Sequence, residues 1–355
     1  MRRAIALARQ GIGWVNPNPL VGAVIVKDGR IIGEGYHARC GALHAERDAL
    51  AHCTEDPAGA TIYVTLEPCC HQGRQPPCTD ALLASGIARV VIGSRDPNPK
   101  VSGRGAAILR AHGVTVVEDF LRAECDALNP VFFHYITTGT PYVTMKYAMT
   151  ADGKIATCTG ASKWITGEPA RAQVQQLRSR YTGILAGIGT VLADDPLLTC
   201  RLPDCRTPVR ILCDAHLRIP LDSQICRTAA QVPTIVAAAA PDPEKQRQLE
   251  ALGITVLTLP DAAGQVDLHR LMTELGKREI DSILLEGGGT LNEAALRAGI
   301  VKKVYAYIAP KLFGGAAAKT PVAGQGVEHP ADCIQLSAPQ ITPIGEDLLL
   351  EYEVI

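Results

Sequence analysis

The feature that most constrains this chain is an alternation of β-rich and helical stretches, interrupted once. It opens with "LVGAVIVKDGRIIGEGYH", two β-rich runs around Asp28-Gly29 that read as a hairpin. "HAERDALAHC" reads as a helix, "ATIYVTLEP" as a buried strand, "TDALLASG" as a helix stopped by Gly86, and "IARVVIGS" as another strand. "GRGAAILRAHG" and "VTVVEDF" repeat the helix–strand unit, and "DALNPVFFHYITTGTP" closes the series. A second series starts at "PYVTMKYAMTADGKIAT". It continues through "TGILAGIG", "PVRILCDA", "VPTIVAAAA", "ITVLTLP", "DSILLEGGG" and "VKKVYAYIAP". Alternation of this kind predicts α/β architecture, sheets covered by helices. The break at Gly139, Thr140 and Pro141 divides the chain into domains at 1–139 and 140–355.

Composition narrows the function classes. Thirty-five Lys and Arg balance 36 Asp and Glu in 355 residues, and only 4 % of residues are aromatic. A nucleic-acid binder usually carries basic excess and stacking aromatics, so no nucleic-acid partner is expected. No apolar stretch reaches the roughly 18 residues of a membrane span, and "MRRAIALARQG" reads as a short amphipathic helix, not a signal. Twelve cysteines in so long a chain suggest a reducing cytoplasm and free or metal-bound thiols.

Two short stretches carry chemistry. His44-Ala45-Glu46 precedes a helix, and Pro68-Cys69 follows a buried strand, with Cys78 at the head of the next helix. A catalytic zinc takes three protein ligands and leaves one position for water. A carboxylate that is not a ligand must then carry the proton to the leaving amine. His44, Cys69 and Cys78 fill the first role and Glu46 the second, approximating the H-x-E and P-C-x-x-C pattern of zinc deaminases with the last thiol displaced. The insert "CHQGRQPP" loops out between the thiols, and Cys70 and His71 within it are rival ligands. His37 and His52 read as structural histidines, with His37 close enough in pattern to line a pocket.

These motifs carry a resemblance. "NPNPLVGAVIVKDGRIIGEGYH", "HAE", "TLEPCCHQGRQPPC" and "RDPNPKVSGRG" resemble the deaminase half of the bifunctional riboflavin-biosynthesis deaminase–reductases. "KYAMTADGKIAT", "SKWIT", "GIGTVLADDPLLTCR", "LLEGGGTLNEAAL" and "YIAPKLFGG" resemble the reductase half, so the likeness covers nearly the whole chain. It implies a cytidine-deaminase-like α/β/α domain followed by a dihydrofolate-reductase-like α/β domain. The absence of any G-x-G-x-x-G agrees with a second domain that is not a Rossmann fold.

The resemblance also implies the chemistry. Zinc-dependent deamination of a phosphorylated diamino-ribosylamino-pyrimidinone comes first, and NADPH-dependent reduction of its ribose follows. It implies cofactor contacts at Ala148, Trp164, Thr190, Asp194, Gly288, Gly289, Thr290 and Leu291, where a glycine run opens a helix suited to phosphate. It implies substrate contacts at Ser162, Arg178, Leu198, Arg201 and Glu286, with Asn18 in "NPNP" binding substrate or serving as turn chemistry. Lys146, Asp152 and Glu286 are the candidate proton donors of the reductase. A homo-oligomer is expected. Two other readings predict different features. A nucleic-acid base deaminase would show a close P-C-x-x-C and a basic, aromatic face. A zinc-stabilised binding module would show four closed ligands.

Overall fold

The structure is a computed structural model, and it describes residues 1–73, 75–99 and 101–355. The chain separates into two compact units, Met1–Gly139 and Thr140–Ile355.

The first unit is built on five strands, β1 (Gly22–Lys27), β2 (Arg30–Tyr36), β3 (Thr61–Leu66), β4 (Arg89–Ser94) and β5 (Thr115–Val117), in the order β2-β1-β3-β4-β5. β1 and β2 form the expected hairpin, with both Asp28 and Gly29 at positive φ, as a tight two-residue turn requires. β1 also runs antiparallel to β3, while β3, β4 and β5 are parallel. One face buries Ile62, Val64, Val90 and Ile92 beneath Ala45, Ala49, Leu82, Ala106 and Leu109 of three helices. The other face buries Val24 beneath Ala4 and Leu7 of the helix Arg2–Ala8. Helices on both faces make an α/β/α sandwich.

Gly35 sets how closely the site helix approaches this sheet. A Cβ there would stand 2.2 Å from the backbone nitrogen of Ala49 and 2.7 Å from the carbonyl of Ala45. Helix Ala45–Ala51 therefore rests its backbone directly on β2.

The second unit carries nine strands. β6 (Tyr142–Thr150), β7 (Gly183–Gly187), β8 (Val209–Cys213), β9 (Thr234–Ala238), β10 (Thr255–Thr258), β11 (Ser282–Leu285) and β12 (Val301–Ala309) are followed by β13 (Gln340–Ile344) and β14 (Asp347–Glu353). Their order is β10-β9-β8-β7-β11-β6-β12-β14-β13, parallel through β12, with the last two strands antiparallel. One face packs Met145, Leu185, Ile211 and Leu285 against Leu271, Leu275 and Ala295, and the other packs Ile184, Leu212 and Val236 against Val191, Ile225 and Leu249. The strand order reverses where β7 meets β11, and ligands of open α/β sheets bind at such a crevice, beyond the carboxyl ends of the strands. The β13–β14 hairpin is an addition to the pattern read from the sequence, in which Pro343 obscures the strand signal. β13 is an edge strand, where proline is tolerated.

Candidate metal centre and nucleotide pocket

In the first unit, β3 ends at Leu66 and delivers Cys69 beyond it. The Cys69 carbonyl then accepts the backbone N–H groups of Cys78 (3.0 Å) and Thr79 (3.2 Å). These bonds set the head of helix Cys78–Ala84 beside Cys69. Arg47 supports this placement, donating to the carbonyl of Pro77 at 2.9 Å. His44 stands at the N-cap of helix Ala45–Ala51, with Glu46 one residue inside the first turn.

His44, Cys69 and Cys78 thus converge, with their ligand atoms within 4.8 Å of one another. His44 Nδ1 lies 3.4 Å from the Sγ of each cysteine. A tetrahedral zinc with Zn–S of about 2.3 Å and Zn–N of about 2.0 Å separates such ligands by about 3.5 Å. The donor set and its spacing fit zinc. Cys70 and His71 lie outside the cluster, so among the described residues three ligands meet and not four.

The electrostatics suit that ion. A hydrogen bond from the Cys78 thiol, aided by the His44 ring and the Cys78 backbone N–H, holds Cys69 down at about 4 against the effect of burial. Cys78, hydrogen-bonded to that thiolate and buried, is pushed up. Glu46 is 4 % exposed, and burial together with the Cys69 charge pushes its carboxyl up to about 7. A carboxyl poised near neutrality can both take and release a proton. Beside it, the His37 and His44 rings meet edge-on at 5.4 Å. His37 is buried, and its Nδ1 bonds the Leu43 carbonyl (2.8 Å) while Nε2 meets Asn18 Nδ2 (3.0 Å). Those partners assign the proton to Nδ1. Asn18 is therefore oriented by His37, a tie that the turn reading of "NPNP" does not include.

In the second unit a pocket of about 750 Å³ opens at the carboxyl ends of β7, β8 and β11. Its wall includes Thr190 and Asp194 of helix Ile188–Asp194, and Gly288, Gly289, Thr290 and Leu291 at the start of helix Gly289–Arg297. Gly289 admits no side chain, since a Cβ would stand 2.7 Å from the Thr320 carbonyl. Backbone N–H groups at such a helix start suit a phosphate. Ser162 also lines the pocket and donates to Asp194 at 3.3 Å. The pocket wall does not include Ala148 or Trp164. Ala148 lies on β6, and Trp164 is 60 % exposed with Arg171 stacked 4.7 Å over its ring. Two residues not singled out from the sequence, His216 and Arg218, line the pocket just past β8. Their only sequence signal is position after a strand of the parallel sheet.

Two of the remaining expected substrate residues, Arg178 and Glu286, form a charged cluster with Lys146. Arg178 grips Glu286 through Nε (2.7 Å) and Nη2 (3.0 Å), and its Nη1 donates to the Thr199 carbonyl (3.0 Å). Lys146 Nζ lies 3.7 Å from Glu286. Burial opposes the charge on Glu286, yet Arg178 and Lys146 hold it at about 2. Burial pushes Lys146 down from its ordinary value, with Glu286 opposing. Asp152 accepts from Thr150 and from the backbone of Phe313 and Gly314, which holds it at about 2. Leu198 is buried at φ +52°, and Arg201 is exposed, its backbone N–H bound to the Gln175 side chain at 3.0 Å.

Known proteins match this arrangement along the whole chain. Residues 1–94 match the cytidine and deoxycytidylate deaminase zinc-binding region, and residues 141–350 match the RibD C-terminal domain. Riboflavin biosynthesis protein RibD of Actinobacillus pleuropneumoniae is 58 % identical over 355 residues, covering 100 % of this chain and 94 % of that protein. Its counterpart from Escherichia coli is 42 % identical, covering 99 % and 97 %. Among solved structures, Acinetobacter baumannii RibD superposes with a TM-score of 0.90 at 35 % identity, over 100 % of this chain and 97 % of that one. A diaminohydroxyphosphoribosylaminopyrimidine deaminase/5-amino-6-(5-phosphoribosylamino)uracil reductase from Thermotoga maritima gives 0.87 at 39 %, with the same coverage. A candidate metal-ligand cluster in a cytidine-deaminase-like unit, an open pocket in the unit that follows, and likeness over the full length agree: this chain belongs to the RibD family of riboflavin-biosynthesis proteins.

Proposed function

We propose that His44, Cys69 and Cys78 hold the zinc of the deaminase in residues 1–139, that Glu46 moves its protons, and that residues 140–355 form the reductase. The protein is a bifunctional deaminase–reductase of riboflavin biosynthesis that uses zinc and NADPH. Its first reaction removes the 2-amino group of 2,5-diamino-6-ribosylamino-4(3H)-pyrimidinone 5′-phosphate. Its second converts the ribosyl chain to ribityl, giving 5-amino-6-ribitylamino-uracil 5′-phosphate. The observation that carries the reading is the convergence of one imidazole nitrogen on two thiols at 3.4 Å, with Glu46 buried beside them.

Zinc supplies a Lewis acid that makes water nucleophilic near neutral pH. With zinc bound, Glu46 would take a proton from the attacking water and pass it to the departing amine. Asn18, held through one carboxamide hydrogen by His37, turns its remaining polar groups to the substrate.

When bound, NADPH would supply the hydride for reduction of the sugar. Gly288, Gly289, Thr290 and Leu291 would hold its diphosphate, with Thr190 and Asp194 in the same pocket lining; Ala148 and Trp164, which lie outside that lining, would be further contacts. Arg218, with His216 beside it in the pocket lining, would meet its 2′-phosphate, because a guanidinium suits a phosphate. Ser162, Arg178, Leu198, Arg201 and Glu286 would hold the substrate, with Arg201 the exposed cation available to its phosphate. Of the three candidate proton donors, Asp152 and Glu286 are held ionised at about 2, which leaves Lys146.

The substrate is a small molecule. We place the protein in the cytoplasm as a homo-oligomer that uses neither nucleic acid nor membrane. Balanced charge goes with the absence of a nucleic-acid partner in this reading, and no helix among the described residues is long and apolar enough to cross a membrane. Light scattering tests the assembly state, and a single-chain mass would refute it.

The test of the whole reading is ammonia release from the phosphorylated diamino-pyrimidinone, followed with and without NADPH, alongside nucleotide oxidation. Ammonia without NADPH, then NADPH consumed in proportion to ribityl product, is the expected result. No ammonia from protein carrying one zinc per chain would overturn it.

A further inference from the structure

The loop that carries Arg201 also carries two thiols for which the riboflavin chemistry has no use. Cys200 and Cys205 bracket residues 201–204, and their Sγ atoms lie 2.8 Å apart. A disulfide needs about 2.05 Å, so closure takes a movement of under about 1 Å. Cys200 is buried, while Cys205 is partly exposed and can meet a reagent from solvent. The Cys200 thiol donates to the Gln175 carbonyl at 3.3 Å, and the Gln175 side chain accepts the Arg201 N–H. On the other side of Cys200, the Thr199 carbonyl accepts from Arg178. The pair is thus tied to Arg178 and Arg201 together.

We propose that Cys200 and Cys205 form a reversible thiol–disulfide site, oxidised by low-molecular-weight disulfides, whose closure locks the Arg201 loop and suppresses the reductase. The consequence for activity rests on the substrate-binding reading of Arg201; the disulfide itself does not. The Cys205 thiolate attacks one sulfur of the reagent R–S–S–R, forming a mixed disulfide and releasing one R–SH. Cys200 then attacks the Cys205 sulfur, closing the intramolecular bond and releasing the second R–SH. The protein loses two hydrogens and two electrons, and the reagent gains both.

Closure removes the S–H donor from the Gln175 carbonyl and ties residues 200–205 into a ring that restricts the reach of Arg201. Attack by an external dithiol on the closed bond reverses the exchange and opens the site again. Burial and the neighbouring Cys200 push the Cys205 thiol up to about 11, so the reaction quickens as pH rises toward that value.

The experiment treats the full-length zinc-loaded protein with oxidised glutathione at mildly alkaline pH. Peptide mapping without reduction then locates the linkage, and both activities are assayed. The expected result is a Cys200–Cys205 crosslinked peptide, a fall of about tenfold or more in reductase kcat/KM, unchanged ammonia release, and recovery with dithiothreitol. Cys205→Ser should keep its reductase activity under the same oxidant. Thiols that stay free, glutathione adducts without a crosslink, or a crosslinked protein with full reductase activity would each overturn the proposal. Arg201→Ala in the reduced protein separates the two layers: normal substrate binding there would sink the Arg201 reading, while the peptide map still decides the disulfide.

Discussion

Replacing Arg178 by leucine tests whether the charged cluster of the second unit holds its fold as well as its substrate. Arg178 and Glu286 are each about 12 % exposed and joined by a two-pronged bond, with Lys146 at 3.7 Å as a secondary cation. The carboxyl titrates at about 2 in place of 4.5. That difference corresponds to about 3 kcal/mol favouring the ionised form in the folded state. Removing Arg178 strands Glu286 with Lys146 alone, and losing one partner of a buried pair typically costs about 3–5 kcal/mol. Because Lys146 remains, we expect about 2–3 kcal/mol. For a unit of this size that is a fall of roughly 4–12 °C in Tm.

Differential scanning calorimetry at neutral pH reads the change. Because the folded-state value is depressed, the pair's contribution is full above pH 4.5. It declines as pH falls toward about 2, so the deficit of the variant should shrink over that window. The double variant Arg178→Leu/Glu286→Gln removes the stranded charge and should recover at least half of the loss. A Tm within about 1 °C of the parent, or a double variant no more stable than the single one, would refute the reasoning.

Other outcomes follow from the two sites. Glu46→Gln should keep one zinc per chain by elemental analysis and lose about 10²–10⁴ in ammonia-release rate; unchanged turnover would remove Glu46 from proton transfer. Gly289→Ala forces a Cβ to within 2.7 Å of the Thr320 carbonyl and should weaken NADPH binding about tenfold or more by fluorescence titration, with ammonia release intact. Arg218→Ala should weaken NADPH binding and leave NADH binding unchanged in the same titration, and an equal loss for both nucleotides would exclude a 2′-phosphate role. Arg201→Ala should raise the reductase KM for the phosphorylated substrate without touching the deaminase; identical reductase kinetics would take Arg201 out of the site.

Much of this protein is legible in the residues alone, because the relevant signals are local. Asp28-Gly29 between β-rich runs calls for a tight hairpin, and strand–helix alternation calls for layered α/β units. A histidine two residues ahead of a carboxylate at a helix start, followed by thiols at a strand end and a helix head, announces metal-assisted proton chemistry. Each signal depends on neighbours in sequence and on backbone preferences that act over a few residues. The β13–β14 hairpin is harder to see, because Pro343 reads as a breaker until the strand's position at a sheet edge is known.

The choice among thiols is not local. Cys69, and neither Cys70 nor His71, meets His44 because the Cys69 carbonyl captures the backbone of Cys78 and Thr79 while Gly35 lets helix Ala45–Ala51 lie on β2. The partner of Arg178 is likewise invisible in sequence, 108 residues away on the far side of several elements. So are His216 and Arg218 past β8 and the contact between Cys200 and Cys205. Periodicity and turn chemistry determined which elements form and which residue types carry the chemistry. Long-range packing decided which of those residues converge, because convergence depends on close backbone approach and on buried charges finding partners, neither of which is written in adjacent residues.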